Sequence, residues 1–119
     1  MAGDYMETIL EKIKELEVSG IENVNLIALV SDTNSEVIFY CDYKGEHIQS
    51  NDLIEEYNVN PMLVENLYKL VTAEVRKAIG FKKDMMNILY VNNGKIKLSY
   101  DKKICSTYKI IKAWNADNQ

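Results

Sequence analysis

The stretch Leu26-Ile27-Ala28-Leu29-Val30 constrains the fold more than any other in the chain. A strand with one wet face alternates apolar and polar residues. An unbroken apolar run of this length has no polar face to offer to water. Asn23 to Ser31 therefore reads as a strand buried on both faces or placed centrally in a sheet. The run is far too short to span a membrane.

Such a strand needs neighbours, and the flanking sequence supplies them. Asp32-Thr33-Asn34-Ser35 is a turn by composition, and Glu36 to Tyr43 is the next strand, rich in β-branched and aromatic residues. Alternation puts Val37, Phe39 and Cys41 on one face and Ile38, Tyr40 and Asp42 on the other. Lys44-Gly45-Glu46 makes a second turn, and His47 to Ser50 is a short third strand. Met85 to Val91 and Lys95 to Tyr100 form a hairpin around Asn92-Asn93-Gly94.

Three helices frame these strands. Asp4 to Leu16 carries Met6, Ile9, Leu10, Ile13 and Leu16 at helical spacing, with Asp4 and Glu7 placed for a capping box and Ser19-Gly20 as a stop. Asn60-Pro61 opens a central helix whose apolar stripe runs through Leu63, Leu67, Leu70, Val71, Ala78 and Ile79 to a stop at Gly80. Ile104 to Trp114 repeats Ile104, Tyr108, Ile111 and Trp114 at helical spacing, and Asn115 to Gln119 is expected to fray. Between strands and central helix, Asn51 to Asn58 reads as an acidic connector. The expectation is a single α+β domain over residues 1–119, an antiparallel sheet of four to five strands with helices packed on one face.

Catalytic chemistry is hard to assemble from this chain. His47 is the one histidine, and nothing fixes it against a nucleophile. Glycines are scattered and form no phosphate-cradling loop. Cys41 and Cys105, dispersed with His47, do not make a zinc site, and both read as buried reduced thiols. Asp52, Glu55 and Glu56 lack a His or a further spaced acid, so a solvated or partner-facing cluster is preferred to a metal site. No catalytic residue, metal or cofactor is expected. The N-terminus has acids where a signal peptide needs positive charge, which points to the cytoplasm.

Charge and tyrosine usage point to binding instead. Residues 1–60 carry a net −10 and residues 61–119 a net +6, within a total of −4. The chain has 8 Tyr against 2 Phe and 1 Trp. Tyrosine joins an apolar body to a polar tip and suits recognition surfaces. Asp42, Tyr43, Glu46, Asp52, Glu55, Glu56 and Tyr57 form the candidate contact surface for a basic protein partner. The basic residues Arg76, Lys77, Lys82, Lys83, Lys95, Lys97, Lys102 and Lys103 offer a rival nucleic-acid face beside Tyr90. The acidic chain, of pI about 5.0, would repel phosphate, so direct nucleic-acid binding is not expected.

Several short motifs resemble a known family. They are Ile38-Phe39-Tyr40, Lys44-Gly45-Glu46, Asp52-Leu53-Ile54 with Tyr57-Asn58-Val59, and Asn93-Gly94-Lys95-Ile96-Lys97-Leu98 with Tyr100-Asp101. In this order the chain resembles the YezG-type immunity proteins of Gram-positive bacteria over roughly residues 1 to 101. It departs from their pattern in lacking a Pro-Trp segment at Gly80 to Met86 and in carrying Lys112-Ala113-Trp114-Asn115 where the family has an aromatic-rich tail. The resemblance implies a small cytoplasmic antitoxin, not an enzyme. Its partner would be a cognate secreted toxin, commonly a nuclease. An adaptor or homo-oligomeric interaction domain using the same surface is the alternative, and a homodimer stays open under both readings.

Overall fold

The protein is described by a computed structural model covering residues 4–92, 94–101 and 107–118. Asn93, Lys102, Lys103, Ile104 and Cys105 lie outside the described residues, as do the side chains of Asp4 and Tyr108. The elements run α1 (Asp4–Val18), β1 (Glu22–Val30), β2 (Ser35–Tyr43), β3 (Glu46–Gln49), α2 (Ser50–Glu55), α3 (Pro61–Lys77), β4 (Met86–Asn92), β5 (Lys95–Asp101) and α4 (Thr107–Asn118). The class is α+β. One five-stranded sheet of order β3-β2-β1-β4-β5 is antiparallel at every pairing.

β1 is the middle strand, as its apolar run requires. Leu26, Ala28 and Val30 face one core, shared with α1, α2, α3, Phe39, Cys41 and Leu89. Ile27 and Leu29 face a second core with Tyr40, Met86, Ile88 and Trp114. Both sets are fully or almost fully buried, so the unbroken run reflects a sheet covered on both sides. The expectation of helices on one face holds for α1, α2 and α3. The tail helix α4 lies across the opposite face, where Trp114, Ile110 and Ile111 cover β1, β2 and β4.

Local signals set most boundaries. α1 ends in a Schellman turn: Ile21 N–H donates to Leu16 O (3.1 Å), Gly20 N–H donates to Glu17 O (2.9 Å), and Gly20 takes φ +89°. Leu16 and Ile21, the residues this turn brings together, are both buried. At the head of α3 the Asn60 side-chain oxygen accepts from Met62 N–H at 3.0 Å, with Pro61 at the first helical position.

Three sequence expectations change. The connector at Asn51 to Asn58 begins as the one-and-a-half-turn helix α2, anchored by fully buried Leu53. α3 stops at Lys77, because Ala78 N–H bonds Val75 O and the chain then turns extended; Ile79 is 80% exposed and is not part of the stripe. Gly80 serves a close approach instead, since a Cβ there would meet the Leu98 side chain at 3.2 Å. Asn115 to Asn118 stay helical, held by Asn118 Nδ2 donating to Trp114 O at 2.8 Å.

Candidate functional site

The β2–β3 hairpin and the chain leaving α2 meet at one corner of the sheet. Lys44 and Gly45 form the two-residue turn, with φ of 50° and 81°. This sets Tyr43 opposite Glu46 and Asp42 opposite His47. After α2, Asn58 takes φ 56° and Val59 N–H donates to Leu53 O at 2.8 Å, which turns Tyr57 back towards the hairpin. The Tyr43 and Tyr57 rings meet edge to face at 5.3 Å. Tyr57 Oη donates to Glu46 Oε2 at 2.5 Å.

The corner is strongly negative. The hydrogen bond to Glu46 pushes the Tyr57 hydroxyl up to about 12, with further repulsion from Glu46, Glu56 and Asp52. That hydroxyl stays a proton donor across the physiological range. Lys44 Nζ sits 5.5 Å from the centre of the Tyr43 ring, the one cation close to this aromatic pair that the described contacts include.

The expected site residues divide. Tyr43, Glu46 and Tyr57 are brought into contact, and Glu56 and Asp52 act on Tyr57 through space. Asp52 also accepts from Gln49 N–H at 3.4 Å, so part of its role is to start α2. Glu55 and Glu56 end α2 exposed. Asp42 stands on the other face of β2, held by Asn23 Nδ2 at 2.8 Å and His47 Nδ1 at 3.0 Å. These hydrogen bonds, Asn23 first, keep its carboxyl below the ordinary range. Among the described residues no three His, Cys, Asp or Glu side chains gather as metal ligands.

His47 is a residue to which sequence reasoning gave no role beyond finding no nucleophile beside it. It lies in β3, stacks on Tyr40 at 5.5 Å, and bonds Asp42 through Nδ1 and Asn118 O through Nε2 at 2.6 Å. Both ring nitrogens thus face acceptors, which only the imidazolium satisfies. The Asn118 carbonyl first, then Asp42, raise its pKa. The signal was available: a two-residue turn at Lys44-Gly45 puts His47 directly opposite Asp42.

Among the basic residues, Arg76 and Lys82 make contacts within the fold. Arg76 donates from Nε to Ser31 O (3.1 Å) and from Nη2 to Asn34 O (3.3 Å), which ties α3 to the β1–β2 turn. Lys82 lies over the Tyr100 ring at 5.7 Å. Cys41 is a free buried thiol, pushed up to about 12 by burial and then by Asp42. No described helix is long and apolar enough to cross a membrane.

Comparison with known proteins gives one relative. The chain is 36% identical over 67 residues to "Immunity protein YezG" of Bacillus spizizenii, a match covering 55% of this chain and 42% of that protein. The likeness supports the YezG-type resemblance carried by the motifs between Ile38 and Asp101. No known family description matches the chain, and no solved structure does.

Proposed function

We propose that the chain is an immunity protein, a non-catalytic antitoxin that binds and neutralises a cognate protein toxin. The toxin is a nuclease domain, and the contact is the acidic, tyrosine-bearing corner. The observation that carries this reading is the Tyr43–Tyr57–Glu46 cluster, with Asp52, Glu55 and Glu56 beside it. The immunity-protein relative supports the same class of function.

The physics of inhibition follows from the corner. A nuclease draws phosphate into a basic cleft. Exposed carboxylates on a rigid hairpin and helix end steer towards such a cleft and compete with the nucleic acid for its cations. The half-buried Tyr43–Tyr57 pair, packed against the core, adds rigid, low-entropy contact from its outer edges, with a hydroxyl already ordered by Glu46. Asp42 lies on the opposite face of β2 and contributes through its bonds to Asn23 and His47, which stiffen the hairpin.

The experiment is a binding titration against the cognate toxin with a Glu55→Lys/Glu56→Lys double variant. Each exposed charge acts mainly on association, so reversal of both lowers affinity about tenfold or more at low salt and flattens the salt dependence. The double variant keeps its fold, since both side chains are exposed. Unchanged affinity and an unchanged salt slope would remove this corner from the interface.

A further inference from the structure

β3 covers only part of the outer side of β2. Its residues pair with Tyr40 to Tyr43, and at Ser50 the chain leaves the sheet for α2. No described strand lies against β2 from Ser35 to Ile38 on that side.

The hairpin geometry says which backbone groups face this gap. Tyr43 and Glu46 close a two-residue turn, so they are a hydrogen-bonded pair, and Tyr43 directs its N–H and C=O towards β3. Alternate residues of a strand direct these groups the same way. Phe39 obeys this parity, with its N–H donating to Ser50 Oγ at 3.5 Å. Val37 and Ser35 therefore point their N–H and C=O groups outward, into the row that β3 has vacated. Beneath this edge a cavity of about 370 Å³ opens between the sheet and α3, lined by Val37, Tyr68, Lys69, Thr72, Ala73 and Arg76.

We propose that the β2 edge from Ser35 to Ile38 takes up an extended segment of another protein as an added strand. The segment continues the row of β3 and seats its inward side chains in the groove against α3. An open row of main-chain donors and acceptors supplies affinity, and the groove supplies selectivity. Lys69 and Arg76 are the charged side chains that line the groove, so the segment carries a carboxylate at an inward position. A second copy of this chain does not fit. Pairing two β2 edges about Val37 sets Tyr40 of one copy opposite Asn34 of the other. The β3 residue beside Tyr40, Gln49, then falls in the row held by the other copy's 32–34 turn. This edge is distinct from the acidic corner, and the inference stands without the antitoxin reading.

The test is amide NMR and hydrogen exchange on the intact chain, with an acetylated and amidated heptapeptide Thr-Glu-Thr-Val-Thr-Val-Thr as probe. The expected result is shifts and protection at Ser35 and Val37, with Glu36 and Ile38, already bonded to β1, unchanged. Replacing the peptide glutamate with lysine weakens binding about threefold. Ala73→Trp, an exposed α3 position, fills the groove and abolishes the effect. Val37→Pro removes an outward donor without touching the β1 ladder and gives the same loss. No protection at Ser35 and Val37 at millimolar peptide overturns the proposal, as does undiminished binding by the Ala73→Trp variant.

Discussion

Asn87 offers a sharp test of how this fold is held. It is fully buried in β4, opposite Val30 of β1. Its Oδ1 accepts from Lys82 N–H at 2.8 Å, and its Nδ2 donates towards Val30 O (3.2 Å), Lys82 O (2.9 Å) and Met85 O (3.3 Å). One amide thus satisfies the turn between α3 and β4 and a carbonyl of the central strand. Asn87→Asp keeps the shape and the bond from Lys82, but sets a carboxyl oxygen against three carbonyls. Protonated, that oxygen still donates one bond, at a loss of about 1 kcal/mol. Ionised, it faces three acceptors with nothing to donate. The folded state therefore raises the pKa of the introduced carboxyl above its unfolded value of about 3.9. A raised pKa makes the protonated form the stable one, so stability is lost as pH rises through the window between the two values. The loss grows by about 1.4 kcal/mol per pH unit, to about 3–5 kcal/mol near neutrality, where a buried unpaired charge reaches its cost. That is a large share of the about 5–15 kcal/mol that holds a typical domain. Urea unfolding of both proteins near pH 4 and pH 7 gives the difference directly. With a slope of about 1.5–2 kcal/mol/M, the variant's midpoint falls about 2 M below the parent near pH 7 and under 1 M near pH 4. A difference independent of pH, or below about 1 kcal/mol near pH 7, would refute the sealed, carbonyl-lined setting of Asn87.

Two further predictions concern α4. Trp114→Ala should cost about 3–5 kcal/mol, since the indole is 8% exposed and lies 5.5 Å from the Tyr40 ring; a loss under about 1 kcal/mol in urea unfolding would mean that α4 does not cover this face. His47 bridges Asp42 to Asn118 O with a raised pKa, so its contribution is full below about pH 6.5 and fades as pH rises through the folded value. Asp42, with a lowered pKa, contributes above about pH 4 and fades as pH falls through its folded value. Hydrogen exchange in the last turn of α4, corrected for intrinsic rates, should loosen as pH rises from about 6.5 through the folded value in the parent but not in His47→Gln; identical profiles would exclude the bridge.

Much of the fold was legible because its signals are local. The run Leu26 to Val30 marks the central strand, Asn60-Pro61 the start of α3, and Gly20 the end of α1. What escaped depends on contacts distant in sequence. α2 is too short to show a helical period; the burial of Leu53 and the meeting of Ser50 Oγ with Tyr68 Oη at 2.6 Å help place it. Ile79 fits the apolar stripe of α3 in spacing, but the chain turns extended at Ala78 before Ile79 can join it. α4 crosses to the far face because the sheet leaves Ile27, Leu29 and Ile88 there to be covered, a requirement visible only once β1 pairs with both β2 and β4. In the candidate site, the sequence reading placed Glu46 in the turn; the turn is only Lys44-Gly45, and this one-residue difference sets the pairs Tyr43–Glu46 and Asp42–His47, while the return of Tyr57 onto Tyr43 depends on the left-handed turn at Asn58.

The most direct measurement is a titration of toxin activity by this chain, using the partner captured from lysate of the native host at low salt. The account predicts a partner with a basic toxin domain whose nuclease activity falls to background at one equivalent of the chain. Inhibition should weaken with salt and with Glu55→Lys/Glu56→Lys. Full toxin activity in the presence of excess chain, or the recovery of the chain alone with no partner at either low or moderate salt, would contradict it.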